Sequence, residues 1–158
     1  MTQPELPELD NGGIIEFPQG LLGFPAAKRF ILVEESGNSF PIFRWLKSVD
    51  DSDISVVVVD PTIFVENYVE TIPRKELIAC DLQSFEGQVF LSIVTVPSAD
   101  PLNSTVNLLA PLVIAPETRI GKQLVLSDSP YSAVHPICKR VKEVVGVNKK
   151  ESPKAEPC

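Results

Sequence analysis

Apolar residues along this chain come in short bursts broken by proline and glycine, with no long stripe repeating every three to four residues. Such bursts, rich in β-branched and aromatic residues, predict strands at Gly13–Phe17, Phe30–Glu35, Ile42–Ser48, Ile54–Asp60, Gly87–Val96, Thr105–Ile114 and Gly121–Ser127. Val56 to Val59 are all valine, so that strand is covered on both faces. Along Gly87–Val96, Val89, Leu91 and Ile93 share one face while Phe90, Val94 and Val96 share the other. A barrel wall with an outer covering has this pattern. The 15 prolines are about twice the usual share of roughly 5%, and they suit many short strands joined by turns better than helices. One helix is predicted, Pro73–Cys80, with Thr71 near the cap and Pro73 in the first turn. Strands and helices do not alternate, which argues against a doubly wound fold. The expected fold is mainly β: a compact, barrel-like single domain with one short helix and a flexible C-terminal tail.

Composition refines the boundaries. Residues 1–12 form an acidic N-terminal segment and 13–137 the β domain. Residues 138–147 read as a last helix or strand. Residues 148–158, rich in Lys, Glu, Pro and Ser, cannot bury enough apolar surface to order and read as a tail. No stretch approaches the roughly 18 apolar residues of a membrane span. The first 11 residues carry Glu5, Glu8 and Asp10 and no basic residue, unlike a secretory leader, so the chain reads as cytoplasmic. Cys80, Cys138 and Cys158 are far apart and odd in number, which speaks for plain thiols over a disulfide framework or a zinc site. Asn103-Ser104-Thr105 matches a glycosylation acceptor, but without secretion it is only a turn.

The net charge of −7 is unevenly distributed. From Cys138 onward six basic residues face three acidic ones, a net of +3, which leaves −10 on residues 1–137. An acidic body repels phosphate backbones and is steered toward basic partners. Direct nucleic-acid binding is therefore not expected.

Catalytic patterns fail one after another. His135 is the single histidine; a hydrolase would need it beside Ser129 or Ser132, yet no nucleophile-elbow pattern exists. Asp60, Glu66 and Glu70 could pair only if the fold assembled them. Asp50-Asp51-Ser52-Asp53 opens like a calcium loop, but positions 6 and 12 are Ser55 and Pro61 rather than Gly and Glu, so a polar turn is the simpler reading. Gly20-Leu21-Leu22-Gly23 has the spacing of a nucleotide clamp but lacks basic residues, and reads as a turn. No metal or cofactor is expected. Trp45 is a core or interface aromatic, and Asn107 is a polar residue within an apolar run.

Several segments together carry a resemblance. They are Ile-Ile-Glu-Phe-Pro-Gln-Gly-Leu-Leu-Gly-Phe-Pro at 14–25 followed by Arg-Phe-Ile-Leu at 29–32, the run from Phe43 to Pro61, Leu-Ser-Ile-Val-Thr-Val-Pro at 91–97, and Thr-Val-Asn-Leu-Leu-Ala-Pro-Leu-Val-Ile at 105–114. Arg119, Gly121 to Leu126, Ser129, Tyr131, His135 and Pro136 follow. Over residues 14–137 the chain resembles the FliW family of flagellar assembly factors. Lys47 stands where the family commonly has Gln, and Val134 where Arg usually precedes His-Pro. The resemblance implies a non-enzymatic, barrel-like cytoplasmic protein with two protein partners, flagellin and the RNA-binding translational repressor CsrA. The acidic body suits a basic CsrA surface, and an apolar groove would suit amphipathic flagellin helices. The residues assigned are Asp50, Asp51 and Asp53 toward CsrA, and Phe17, Trp45 and Asn107 toward flagellin. The rivals are a structural β-domain of a permanent assembly and a small hydrolase.

Overall fold

The computed structural model describes residues 13–33, 43–80, 82, 84–127 and 129–140. Nine strands form in chain order: β1 Ile15–Glu16, β2 Arg29–Val33, β3 Phe43–Ser48, β4 Ser55–Val59, β5 Val89–Thr95, β6 Thr105–Val106, β7 Leu112–Ala115, β8 Ile120–Gln123 and β9 His135–Pro136. Seven of them close into a ring, β4-β3-β2-β1-β8-β7-β5 and back to β4. Closure removes the open edges that invite aggregation. β5 is the hub. One of its edges pairs with β4, while the other is shared by β7 at Val89–Leu91 and β6 at Val94–Thr95. β9 extends the sheet beyond β6.

The strands apolar on both faces serve two cores. Ile15, Phe17, Phe30, Leu32, Leu46, Val58, Val89, Leu91, Leu112 and Ile114 fill the barrel. Phe17 and Phe30 meet edge to face, with ring centroids 5.7 Å apart. A second core lies on the outer wall, where Val59, Phe90, Val94, Val106 and Val113 are covered by Tyr68, Val69, Ile72, Leu124, Leu126 and Ile137. The expected two-sided burial of the valine run and of β5 is thus resolved: alternate residues face different cores.

The ring's seam is thin. β1 meets β8 in parallel through one pair, Glu16 with Ile120, with Glu16 N–H donating to Arg119 O at 2.8 Å. Arg119 takes a left-handed φ of 61° at the end of the β7–β8 turn. Gly121 keeps the seam closed, because a Cβ there would lie 2.7 Å from the Phe17 ring.

Three expectations need correction. The run Thr105–Ile114 is not one strand; it breaks after Val106 and resumes at Leu112. Asn107 Oδ1 accepts Leu109 and Ala110 N–H, both at 3.0 Å, and Pro111 brings no donor. The side chain outcompetes the ladder for those donors. The strand expected to Ser127 ends at Gln123, where Leu124 and Leu126 turn to donate to Pro111 O and Leu109 O. The helix is one turn, α1 Glu76–Cys80. Short 3-10 turns at Pro61–Ile63, Val69–Thr71 and Pro101–Asn103 make up the rest of the covering. Residues 138–140 are helical. Residues 34–42, where the end of one strand and the start of another are expected, lie outside the described residues, as do 1–12 and 141–158.

Candidate functional site

The acidic turn between β3 and β4 is built by its own side chains. Ser48 Oγ accepts Asp50 N–H at 3.1 Å and Asp51 N–H at 3.0 Å, and Asp51 Oδ1 accepts Asp53 N–H at 3.0 Å. Ile54 N–H closes the turn onto Asp51 O. This is the polar turn expected from sequence. Its three carboxylates are unequal. Arg29, from neighbouring β2, donates through Nε and Nη2 to Asp50 Oδ1, at 3.1 and 2.6 Å. That hydrogen bond, aided by the guanidinium's charge, holds the Asp50 carboxyl below its ordinary value and raises Arg29. Asp51 spends one oxygen inside the turn. Asp53 is exposed and carries its charge outward.

Trp45 stands on the same hairpin. It is half-buried on the outer face of β3, opposite Val33 of β2 and Val57 of β4. Three residues separate it from Ser48, about 10 Å along a strand. The fold thus joins the acidic turn and the tryptophan on one element.

Phe17 and Asn107 are placed otherwise. Phe17 is 0% exposed in the barrel interior. It anchors the loop 18–27, in which Leu22 and Phe24 are exposed at 59% and 40%. Gly20, at φ 72° and pressed against the Pro25 backbone, allows that loop its tight turn. Asn107 is half-buried and its carbonyl oxygen is occupied by the turn described above. Val106, before it, lies three strands from Trp45 along the row Trp45, Val57, Val94, Val106, roughly 14 Å at the usual strand spacing.

The hydrolase residues also have local duties. Ser129 Oγ accepts Tyr131 N–H and Ser132 Oγ accepts Val134 N–H. His135 lies in β9 with its ring near Phe64, centroids 6.2 Å apart. Asp60 caps Thr62, accepting from its N–H at 2.9 Å and its hydroxyl at 2.6 Å. Among the described residues no group of three or more His, Cys, Asp or Glu could hold a metal ion, and no helix is long and apolar enough to cross a membrane. Of the cysteines expected as thiols, Cys80 is free, with burial pushing its thiol upward. Cys158 lies outside the described residues.

A cleft of about 450 Å³ lies between Cys80, Leu82 and Glu86 to Gln88 on one side and the β7–β8 hairpin on the other. These stretches are distant in sequence and meet only through the fold, so no local pattern announces it.

These elements define a class by architecture: a seven-stranded closed barrel whose outer wall carries a second core under a wrap of short turns. The comparisons give that class its family. The FliW protein family model matches residues 2–137. A flagellar assembly factor FliW of Natranaerobius thermophilus is 41% identical over 139 residues, 87% of this chain and 91% of that protein. One from Leptospira interrogans is 40% identical over 119 residues, 75% and 78% of the two chains. A crystal structure of a flagellar assembly factor FliW superposes with a TM-score of 0.65 at 27% identity, over 78% of this chain and 84% of that one. The chain belongs to the FliW family of flagellar assembly factors.

Proposed function

We propose that this chain is a non-enzymatic, partner-switching adaptor of the bacterial cytoplasm: it holds flagellin, and it binds the translational repressor CsrA and so relieves repression of flagellin synthesis. Family membership across the barrel carries this reading. The formal −10 on residues 1–137 supports it, since CsrA must present basic surface to RNA. On the CsrA side, Asp53 and Asp51 are the carboxylates offered on the β3–β4 turn, with Asp50 already partnered by Arg29. On the flagellin side, Trp45 supplies accessible apolar surface, whereas Phe17 acts through the loop it anchors and Asn107 through the turn it holds. If the two partners exclude each other, each lowers the other's affinity by the same factor.

Calorimetry with purified flagellin and CsrA, each alone and after saturation with the other, tests the adaptor. The expected result is binding to each and loss of heat for the second. Failure to bind either partner at micromolar concentration would overturn it. Simultaneous, non-exchanging binding of both would favour the rival, a structural domain of a permanent assembly.

A further inference from the structure

The 450 Å³ cleft beside the β7–β8 hairpin falls in the size range of ligand sites, about 300–1,000 Å³. Leu82, Val113, Pro116 and Ile120 give it apolar walls. Gln88 is one of the lining residues; its side-chain oxygen is buried with no hydrogen-bond partner, while its amide nitrogen reaches Ser84 O at a long 3.4 Å. A buried acceptor left unmade is costly, so the cleft asks for a donor. Its rim carries the exposed carboxylates of Glu86 and Glu117. Lys122, the one cation among the described lining residues, donates to Gln19 Oε1, which leaves two carboxylates against one ammonium. Apolar walls, an unpartnered acceptor on a lining residue and an excess of carboxylate over ammonium favour a cation with an aliphatic stem over an anion.

We propose that this cleft receives an arginine side chain projecting from a partner protein. The stem packs on Leu82, Val113 and Ile120, as long basic side chains do on apolar surface. The planar guanidinium has five donors in a fork. One meets Gln88 Oε1 and the others meet Glu86 and Glu117. A lysine ammonium, compact and strongly hydrated, would satisfy the two carboxylates but lose more hydration in meeting the buried Gln88 oxygen. The inference goes beyond the adaptor reading and needs no knowledge of which partner carries the arginine.

The test is amide-shift titration of the full ¹⁵N-labelled chain with the blocked tripeptide acetyl-Leu-Arg-Val-amide, beside versions bearing lysine, neutral citrulline or glutamate at the centre. The arginine peptide should saturate with Kd on the order of 1 mM, shifting Gly87, Gln88, Thr118 and Gly121. Citrulline should weaken binding about fivefold, as should the double variant E86Q/E117Q, in line with exposed ion pairs. Gln88→Leu, which removes the unpaired acceptor along with the long bond to Ser84 O, should also weaken it while leaving the spectrum dispersed. No saturable shifts, shifts centred elsewhere, equal binding of the lysine peptide, or tighter binding of the glutamate peptide would each overturn the proposal. Should flagellin and CsrA bind while the arginine peptide does not, the cleft assignment falls alone. Should the peptide bind while neither protein does, the adaptor reading falls alone.

Discussion

The barrel interior and the outer wall are both cores, but they are held together differently. Inside the ring, aliphatic residues and two phenylalanines interdigitate. The outer core is fastened by polar ties. Tyr68, fully buried, donates its hydroxyl to Leu108 O at 2.5 Å. Its ring lies against Tyr131, centroids 5.0 Å apart, and Tyr131 shares a hydrogen bond with Thr71 at 2.7 Å. Arg140 Nε reaches Ile63 O at 2.7 Å. Ser92, on the same wall, keeps a buried hydroxyl with no partner. An interior closed on itself gains from packing alone, whereas a wrap of short 3-10 turns needs directional bonds to hold its place. Such a wrap is the element that opens first.

The largest effect is expected from damage to the interior. Phe30→Ala should cost about 3–5 kcal/mol, the usual range for an aromatic cut from a core. Because the ring supports the outer wall, amide protection should fall in both cores together. Denaturant unfolding with hydrogen exchange checks this; loss confined to β1–β3 would show that the two cores are independent.

A smaller effect is expected in the wrap. Tyr68→Phe leaves the buried Leu108 carbonyl without its donor, costing about 1–3 kcal/mol, with protection lost around Val69–Thr71 and Leu108 and kept inside the ring. The pH dependence follows the same residue. Burial raises the Tyr68 hydroxyl well above its ordinary value of 10.0. Above about pH 10 the unfolded chain releases this proton and the folded chain keeps it, so stability falls as pH rises, by up to ~1.4 kcal/mol per unit. The stability difference between the native chain and Tyr68→Phe should therefore shrink with alkalinity. A difference constant across that window would mean the hydroxyl is reached by water.

The two regions were not equally legible in the sequence. β4 and β5 announced themselves because residues apolar on both faces have few other uses, and the ring's interior follows from that period. The wrap is made of non-repeating turns fixed by single side chains. Asn107 sits in a run that reads as one strand from Thr105 to Ile114, and only its bonds to Leu109 and Ala110 N–H reveal the break. Phe17, flanked by a turn, reads as available for a partner, and only barrel closure shows that it is buried. The β1–β8 pairing and the cleft above it join residues far apart along the chain, beyond any local pattern. The acidic turn was readable in shape, since Asp and Ser build such turns anywhere. Its charge was not, because Arg29 arrives from another strand.

The smallest effect is expected at the acidic turn. The Arg29–Asp50 pair is solvent-exposed, 49% and 35% at the two side chains, so water and salt screen it. Asp50 is held below the ordinary 3.8 of its carboxyl mainly by the hydrogen bond from Arg29. Its stabilising contribution is therefore complete above that value and disappears as acid takes the pH through the lower folded value. Asp50→Asn should lower the Tm slightly at neutral pH and not at all once the native carboxyl is protonated, and added salt should narrow the gap. A gap that persisted unchanged into strong acid would mean that Asp50 holds the turn through shape, not charge. The outcome also separates the carboxylates by role. If Asp50 is spent on Arg29, reversing Asp53 should change the salt dependence of association with a basic partner more than reversing Asp50 does.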